Sequence, residues 1–206
     1  MNPLRLIYGG TFDPIHSGHL AVARAAREAV GAERVILLPC GDPPHRARPG
    51  ASGEHRAAML QIAIADDPLF VIDTRELSRV GLSYTIDTLR ELRQELGPLT
   101  PMVLLLGRDA ADGLASWHQV AEMPALTHLL IMARPGYPGM HPERALGWQV
   151  ATTTDALAGS PAGLVLEMPR PVSTASSTAV RGGCDEAWQD LPPGVADYMR
   201  AHRLYR

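Results

Sequence analysis

With 206 residues, of which 46% are hydrophobic and 20% charged, the chain is long enough to bury one well-packed core and too apolar for a disordered or fibrous protein. Its formal net charge of -3 argues against a broad nucleic-acid or membrane surface, so we expect small-molecule partners, with no nucleic acid and no membrane. Its two cysteines, Cys40 and Cys184, form no CxxC pair, and no signal segment or membrane-length apolar run is present. These features predict a cytoplasmic protein.

Short apolar runs bounded by glycine or proline predict six buried strands. Between the strands, apolar residues recur at helical spacing, as in the run that Ser52 can cap and in the run from Tyr84 to Leu96. The same spacing predicts a terminal helix over 195–202, whereas 137–163 shows no clear period and is expected to be a surface connection. The predicted strands cover residues 4–8, 34–38, 69–72, 102–106, 129–132 and 164–166.

Alternating strands and helices indicate an α/β fold, namely a Rossmann-like, doubly wound parallel sheet with helices on both faces. No linker or internal repeat divides the chain, so we predict a single domain over residues 1–206, with a small C-terminal helical part at about 174–206. Ligands of such sheets bind beyond the carboxyl ends of the strands. The polar segments that follow strands are therefore expected to meet at one site; they cover residues 9–19, 39–46, 107–109 and 173–181.

The loop between the first strand and the first helix has the sequence GGTFDPIHSGH, from Gly9 to His19. Free backbone N–H groups and the positive end of the helix dipole make such a position suitable for an anion. Glycines let a ligand approach the backbone, and His16 and His19 can add side-chain donors. Taken alone, the two histidines fit a polar turn as well as a binding site.

Several common catalytic signatures are absent from the sequence. There is no GxxxxGK[ST] phosphate loop, no GxGxxG and no HExxH. The segment from Gly81 to Thr85 lacks the final glycine of a nucleophile elbow, so a hydrolase triad is not predicted.

The loop GGTFDPIHSGH resembles the T/HxGH signature of the nucleotidyltransferase superfamily, and in its full form it is similar to the bacterial nicotinate-nucleotide adenylyltransferase family. Further segments resemble that family in the same order along nearly the whole chain. They are PPHR at 43–46 (family PPHK), SRVGLSYTIDTL at 78–89 (SRxGxSYTxDTL), GRD at 107–109 with Trp117 (GxD…W), SSTAVR at 176–181 (SSTxIR) and YMRAHRLY at 198–205 (YIxxHxLY).

The resemblance implies an enzyme of NAD biosynthesis that joins nicotinate mononucleotide to the AMP portion of ATP, giving deamido-NAD and pyrophosphate. Mg²⁺ is expected on the ATP phosphates, with no metal ligands from the protein. Because the attacking group is already a phosphate, the reaction needs no strong base or covalent nucleophile. It needs two polyanions held in line and the growing charge on the α-phosphate and pyrophosphate neutralised.

The resemblance also implies roles for individual residues. His16 and His19 would contact the ATP phosphates, with His19 donating to the α-phosphate in the transition state, and Arg46, Ser177 and Arg181 would hold the triphosphate from the opposite side. The implied ATP-binding residues are Gly9, Gly10, Thr11, Phe12, Gly18, His19, Gly107, Asp109, Ser176 and Thr178. The implied acceptor-binding residues are Asp13, His45, Ser83, Tyr84, Thr85, Trp117 and Arg134.

Two departures and several alternatives qualify this interpretation. Arg46 stands where the family has lysine, which keeps the charge but changes its geometry, and Val180 replaces isoleucine. Without the resemblance, Trp117 fits packing better than stacking on the pyridine ring, and Trp148 is expected to be structural. The alternative functions are an adenylyltransferase for the amide nucleotide or for phosphopantetheine, and a nucleotide-binding regulator without turnover. A homo-oligomer is common for such enzymes.

Overall fold

The computed structural model describes residues 3–41, 49–65, 67–133, 136–169, 175–182 and 185–205. Within these ranges, seven strands form one sheet, and each strand pairs in parallel with its neighbours. The strands are β1 (Arg5–Gly10), β2 (Val35–Pro39), β3 (Phe70–Ile72), β4 (Met102–Gly107), β5 (His128–Ala133), β6 (Gln149–Val150) and β7 (Leu164–Pro169).

The strand order is β3-β2-β1-β4-β5-β7-β6, so the chain reverses its direction of travel between β1 and β4. This arrangement confirms the predicted doubly wound sheet. Tyr8 of β1 lies opposite Leu37 of β2 on one side and Leu105 of β4 on the other. The loops that leave β1 and β4 consequently begin side by side, which is where open α/β sheets bind their ligands.

Helices cover both faces of the sheet. The helices are α1 (Ser17–Val30), α2 (Gly53–Ile64), α3 (Thr85–Leu96), α4 (Arg108–Asp112), α5 (Pro142–Ala145), α6 (Asp155–Ala158), α7 (Ser177–Arg181), α8 (Asp185–Trp188) and α9 (Val195–Ala201), with short 3-10 turns at Leu114–Ser116 and Val120–Ala125.

The boundaries of the long helices follow from local chemistry. The Ser52 side chain accepts a hydrogen bond from the backbone N–H of His55 and caps α2, as the sequence predicted. Helix α1 ends at Val30, and Gly31 caps it. The φ of Gly31 is 64°, in the left-handed region, and its N–H donates to the carbonyls of Arg27 and Glu28.

Two hydrophobic clusters hold the helices on the sheet, one on each face. Successive residues of β1 point to opposite faces, so Leu6 packs in one cluster with Met59 of α2, whereas Ile7 packs in the other with Leu89 of α3. All four side chains are 1% exposed or less. Each face of the sheet is therefore covered by its own hydrophobic cluster, and the polar loops lie at the carboxyl edge of the sheet.

The segment 137–163 contains more structure than the sequence indicated. It includes α5, β6 and α6, which have four, two and four residues and are too short to show a hydrophobic period. Trp148 anchors the segment, since it is 2% exposed and its indole N–H donates to the Thr127 carbonyl at 3.0 Å. Its predicted structural role is confirmed. In the described part of the chain, no helix has the length and apolar character needed to cross a bilayer.

Candidate active site

A cavity of about 170 Å³ opens at the carboxyl edge of the sheet, over the junction of β1 and β4. Its walls come from the ends of β1, β2 and β4, from the turn before α3 and from the segment after α4. The structure brings seven of the predicted site residues into this lining, namely Gly9, Gly10, Thr11, Ser83, Tyr84, Thr85 and Trp117. Of the four polar segments expected to converge, 9–19 contributes its first three residues to the described lining and 39–46 contributes Cys40, whereas no residue of 107–109 or 173–181 is among the lining residues described.

His16 and His19 hold each other at the start of α1. The backbone N–H of each histidine donates to the Nδ1 atom of the other, at 3.3 Å in both cases. The imidazole rings are stacked with centroids 3.7 Å apart. Because a neutral imidazole has one N–H and one acceptor nitrogen, an Nδ1 that accepts a hydrogen bond places the proton on Nε2. In its neutral form, each imidazole therefore carries its proton on Nε2 and can donate a hydrogen bond from that atom.

Phe12 supports this pair from below. Its ring is 2% exposed and makes edge contacts with His19 and Tyr8, at centroid distances of 5.2 and 5.5 Å. The Phe12 φ of 48° is unusual for a residue with a side chain, and such strain is found where the surrounding structure demands it. Phe12 therefore packs against the histidine pair. It is not among the described residues that line the cavity, where the sequence predicted an ATP-binding residue.

Two glycines of the same loop differ in what surrounds them. A Cβ on Gly10 would lie 3.0 Å from the Phe12 ring, whereas a Cβ on Gly9 would meet no atom within 4 Å. Gly10 is thus required by packing inside the protein. Gly9 leaves open space in the cavity, which agrees with its predicted closeness to a ligand.

Helix α7 docks on the loop that precedes α1. The Ser177 hydroxyl donates to the Pro14 carbonyl at 3.0 Å, and the Arg181 guanidinium donates to the Asp13 carbonyl at 2.6 Å. Ser176 caps α7 by accepting from the Ala179 N–H at 3.4 Å. The structure therefore brings the predicted SSTxIR-like segment to the histidine loop. Ser177 and Arg181 are each more than 160 positions away in sequence from the loop residue that they contact.

Asp13 is engaged inside the protein and is absent from the described cavity lining. Its carboxylate accepts from the backbone N–H groups of Gly50 at 2.7 Å and Ala51 at 3.0 Å, and from the Tyr205 hydroxyl at 2.6 Å. The side chain is 7% exposed. The structure thus places Asp13 in a junction between loops, where the sequence predicted an acceptor-binding residue.

The turn before α3 presents backbone donors to the cavity. Tyr84 is the N-cap of α3 and makes no side-chain capping bond, so the first N–H groups of this twelve-residue helix are not satisfied by a cap. The Tyr84 ring packs against His118 with centroids 4.3 Å apart, and both residues line the cavity together with half-buried Trp117. An aromatic wall and a helix N-terminus suit a flat anionic ring.

A buried polar network holds that turn in place, and the sequence did not predict it. The Glu76 carboxylate accepts from the Thr88 hydroxyl at 2.8 Å and from the Gly41 N–H at 3.4 Å, and the Arg79 guanidinium donates to the Ser83 hydroxyl at 2.8 Å. Glu76 also lines the cavity. Arg79 and Thr88 lie inside the SRVGLSYTIDTL segment, so the motif contained a signal for them. Glu76 precedes the motif, and its single polar position gave no signal.

Helix α4 begins directly after β4 and places exposed Asp109 in its first turn. The next-door Arg108 side chain is fully buried and pairs with Asp112 and Glu143, both at 2.9 Å. Burial alone would raise the pKa of each carboxyl group. Hydrogen bonds and the charge of Arg108 outweigh that effect and hold both pKa values below their ordinary range; the donors are the Met140 N–H, the Tyr137 hydroxyl and Arg108 for Asp112, and chiefly Arg108 for Glu143.

Comparison with known proteins places the chain in a family. The cytidylyltransferase-like family matches residues 7–183. The chain belongs to this family. It is 47% identical over 219 residues to a probable nicotinate-nucleotide adenylyltransferase of Stenotrophomonas maltophilia, covering 100% of this chain and 98% of the relative. A protein of the same name from Sodalis glossinidius is 44% identical over 215 residues, covering 98% of this chain and 97% of that relative. The resemblance inferred from the motifs is confirmed.

A solved structure shares the fold of this cytidylyltransferase-like protein. The Plasmodium falciparum nicotinic acid mononucleotide adenylyltransferase complexed with NaAD superposes with a TM-score of 0.73 at 18% identity, covering 99% of this chain and 98% of that chain. The match confirms the predicted Rossmann-like sheet. Membership of a nucleotidyltransferase family also confirms that the chain is an enzyme.

Three predicted site residues, His45, Arg46 and Arg134, lie outside the described residues of this family member. Their roles stay predictions. Among the residues that are described, no group of three or more His, Cys, Asp or Glu side chains could hold a metal ion.

Proposed function

We propose that the protein transfers the AMP portion of ATP to the phosphate of nicotinate mononucleotide, giving deamido-NAD and pyrophosphate. The observation that carries the proposal is that one loop serves both parts of the site: it lines the cavity through Gly9, Gly10 and Thr11, and it holds the pair of His16 and His19, which is outside the described lining. The Nε2 donors of His16 and His19 lie at the N-terminus of α1, and the aromatic pocket of Tyr84 and Trp117 lies across the ends of β1 and β4.

The reaction forms one bond and breaks another at the α-phosphorus of ATP. A phosphate oxygen of the mononucleotide attacks, and the bond to the pyrophosphate oxygen breaks, with the electron pair leaving on pyrophosphate. The attacking group is already ionised, so no residue has to remove a proton. The protein instead aligns two anions and stabilises the charge that develops between them.

The histidine loop supplies that stabilisation. His19, and beside it His16, donate from Nε2 to the phosphates, and the N-terminus of α1 adds its dipole. Arg181 and Ser177 of α7, together with Arg46, complete the binding of the triphosphate, and Asp109 and the open backbone at Gly9 seat the nucleotide. Mg²⁺ would be held by the ATP phosphates and would neutralise their charge.

The acceptor pocket favours a carboxylate over a carboxamide. The α3 N-terminus offers backbone N–H groups at Thr85 and beyond, and a carboxylate accepts on both of its oxygens. A carboxamide would turn its NH₂ group toward the same donors and leave them unpaired, which costs binding free energy. Trp117 would stack on the pyridine ring, and His45 and Arg134 are proposed to contact the acceptor on the strength of the resemblance.

The test is to incubate the purified protein with Mg-ATP and either nicotinate mononucleotide or its amide, and to follow pyrophosphate and dinucleotide. We expect both products with the acid and much less with the amide. Equal rates would contradict the carboxylate pocket, and a better rate with phosphopantetheine would assign a different acceptor. Absence of product with every acceptor would leave a nucleotide-binding regulator. We also propose that the protein is cytoplasmic. We propose in addition that it forms a homo-oligomer, which native mass spectrometry would test.

A further inference from the structure

The last described residues of the chain return to the loop that carries the histidines. Helix α9 ends at Ala201, and the Leu204 N–H donates to the Met199 carbonyl at 3.0 Å, which folds the terminal segment back on the helix. Leu204 and Tyr205 then pack against the hydrophobic cluster that contains Leu6 and Met59. The end of the chain is therefore held in a defined place.

Tyr205 joins that terminal segment to Asp13. Its hydroxyl donates to the Asp13 carboxylate at 2.6 Å, and its ring lies where a Cβ on Gly50 would be only 3.1 Å away. Burial, and then the bond to Asp13, raise the pKa of the Tyr205 phenol above its usual range. The hydroxyl consequently remains a donor throughout the neutral pH range.

The loop that carries Asp13 meets three other parts of the chain at this residue. Its carboxylate accepts from Tyr205 and from the backbone N–H groups of Gly50 and Ala51, and its carbonyl accepts from Arg181. Asp13 lies three residues before His16, with fully buried Ile15 between them. A displacement of Asp13 would therefore be passed to the histidine pair through a short, packed segment of backbone.

We propose that Tyr205 is a positioning residue for AMP transfer, which acts through Asp13 to set the place of His16 and His19 at the N-terminus of α1. The inference rests on the proposed function for its link to turnover. It assigns a task to the C-terminal YMRAHRLY segment, which otherwise contributes packing only. Charge stabilisation in the transition state depends on donor position within fractions of an ångström, so a loosened loop lowers turnover more than binding.

The first test replaces Tyr205 with phenylalanine, which keeps the ring and removes only the hydroxyl donor. We expect kcat to fall about tenfold, with the KM values for both substrates changing less than about twofold. The matched control is Tyr198→Phe. It removes the hydroxyl of an α9 residue, which bonds to His55 at 2.9 Å and has no described contact with Asp13, and we expect an unchanged kcat.

A double-mutant cycle approaches the same bond from its other partner. Asp13→Asn weakens the acceptor, and combining it with Tyr205→Phe should cost clearly less than the product of the two single losses in kcat, because both variants remove one interaction. Independent, multiplicative losses would overturn the proposal. So would a Tyr205→Phe enzyme whose kcat matches that of Tyr198→Phe.

The imidazole ¹⁵N NMR signals of His16 and His19 provide a readout that needs no turnover. We expect Tyr205→Phe to shift these signals and Tyr198→Phe to leave them in place. Unshifted signals would show that Tyr205 only packs the terminus. If the unsubstituted protein made no dinucleotide while its histidine signals still responded to Tyr205→Phe, the proposed function would fail and the positioning contact would stand.

Discussion

His16 and His19 owe their orientation to two hydrogen bonds with each other's backbone. The sequence predicted that both side chains serve as donors, and the reciprocal bonds give the atomic reason, since each Nδ1 is an acceptor and each Nε2 carries the proton. Their roles toward the phosphates remain predictions. The stacked rings at 3.7 Å indicate that the two side chains act as one unit.

Replacement of His19 by asparagine or alanine separates its two roles. Asparagine retains an oxygen that can accept from the His16 N–H, whereas alanine does not, and neither offers the Nε2 donor. If the donor acts in the transition state, both variants should lose about 10² to 10³ in kcat. The affinity for ATP, measured by calorimetry, should change far less. Equal losses in kcat and in ATP affinity would make His19 a ground-state binder.

Gly9 and Gly10 form a matched pair for a second prediction. The Gly10→Ala methyl group would press on the Phe12 ring at 3.0 Å and should lower the free energy of unfolding by about 1–3 kcal/mol. The Gly9→Ala methyl group meets no atom and should change that free energy by less than about 0.5 kcal/mol, yet raise the KM for substrate. Urea unfolding and steady-state kinetics measure both. A Gly9→Ala enzyme with normal KM values would place the ligand elsewhere.

At the scale of elements, the sequence predicted the strands well and the short helices poorly. Each of the six predicted strands exists, with ends displaced by at most three residues, because buried parallel strands appear as continuous apolar runs. The segment 137–163 was missed because helices of four residues and a strand of two have no period to detect. Its place is set instead by distant contacts, including those of Arg108 with α5 and β7.

Arg108 is the ion-paired centre that joins α4 to α5, and its loss should be costly. Arg108→Ala would remove the cationic partner of the buried carboxylates of Asp112 and Glu143, and we expect a loss of about 3–5 kcal/mol in the free energy of unfolding. The control is Arg24→Ala, which breaks an ion pair with Asp67 of the same 2.9 Å length on the surface. That change should cost about 1 kcal/mol or less in urea unfolding. Similar losses in the two variants would contradict the assignment.

At the scale of the whole molecule, the strand order concentrates chemistry at one edge of the sheet. The reversal between β1 and β4 brings the start of the histidine loop next to the start of α4, whose first turn carries Asp109, and the turn before α3 closes the third side of the cavity. The hydrophobic clusters on the two faces fix this arrangement from both sides. The position of the cavity over the ends of β1 and β4 is thus a consequence of topology.

The buried carboxylates also predict how global stability depends on pH. Asp112 and Glu143 have folded-state pKa values below their unfolded values, so their contribution is present above about pH 4.5 and is lost as pH falls through the lowered values. We expect the free energy of unfolding to decrease on acidification below that point.

The Arg108→Ala variant supplies the control for this prediction. Without the arginine, both carboxyl groups lose a cause of their lowered pKa, so the loss of stability on acidification should be smaller in the variant than in the unsubstituted protein. Urea unfolding between pH 3 and 7 measures both curves. Parallel curves would show that Asp112 and Glu143 do not control the acid response. The other groups facing Arg108 are Glu167 at 3.6 Å and His141 at 3.2 Å.

The sequence by itself determined the alternating strands, the parallel sheet and the loop GGTFDPIHSGH, because these depend on local period and on residues adjacent in the chain. Only the tertiary structure decided that Asp13 binds Tyr205, 192 positions away, and that Glu76 and Thr88 support the turn before α3. Such contacts depend on which side chains the folded sheet brings together. Hydrogen bonds between distant buried groups leave no period and no spacing for a sequence to display.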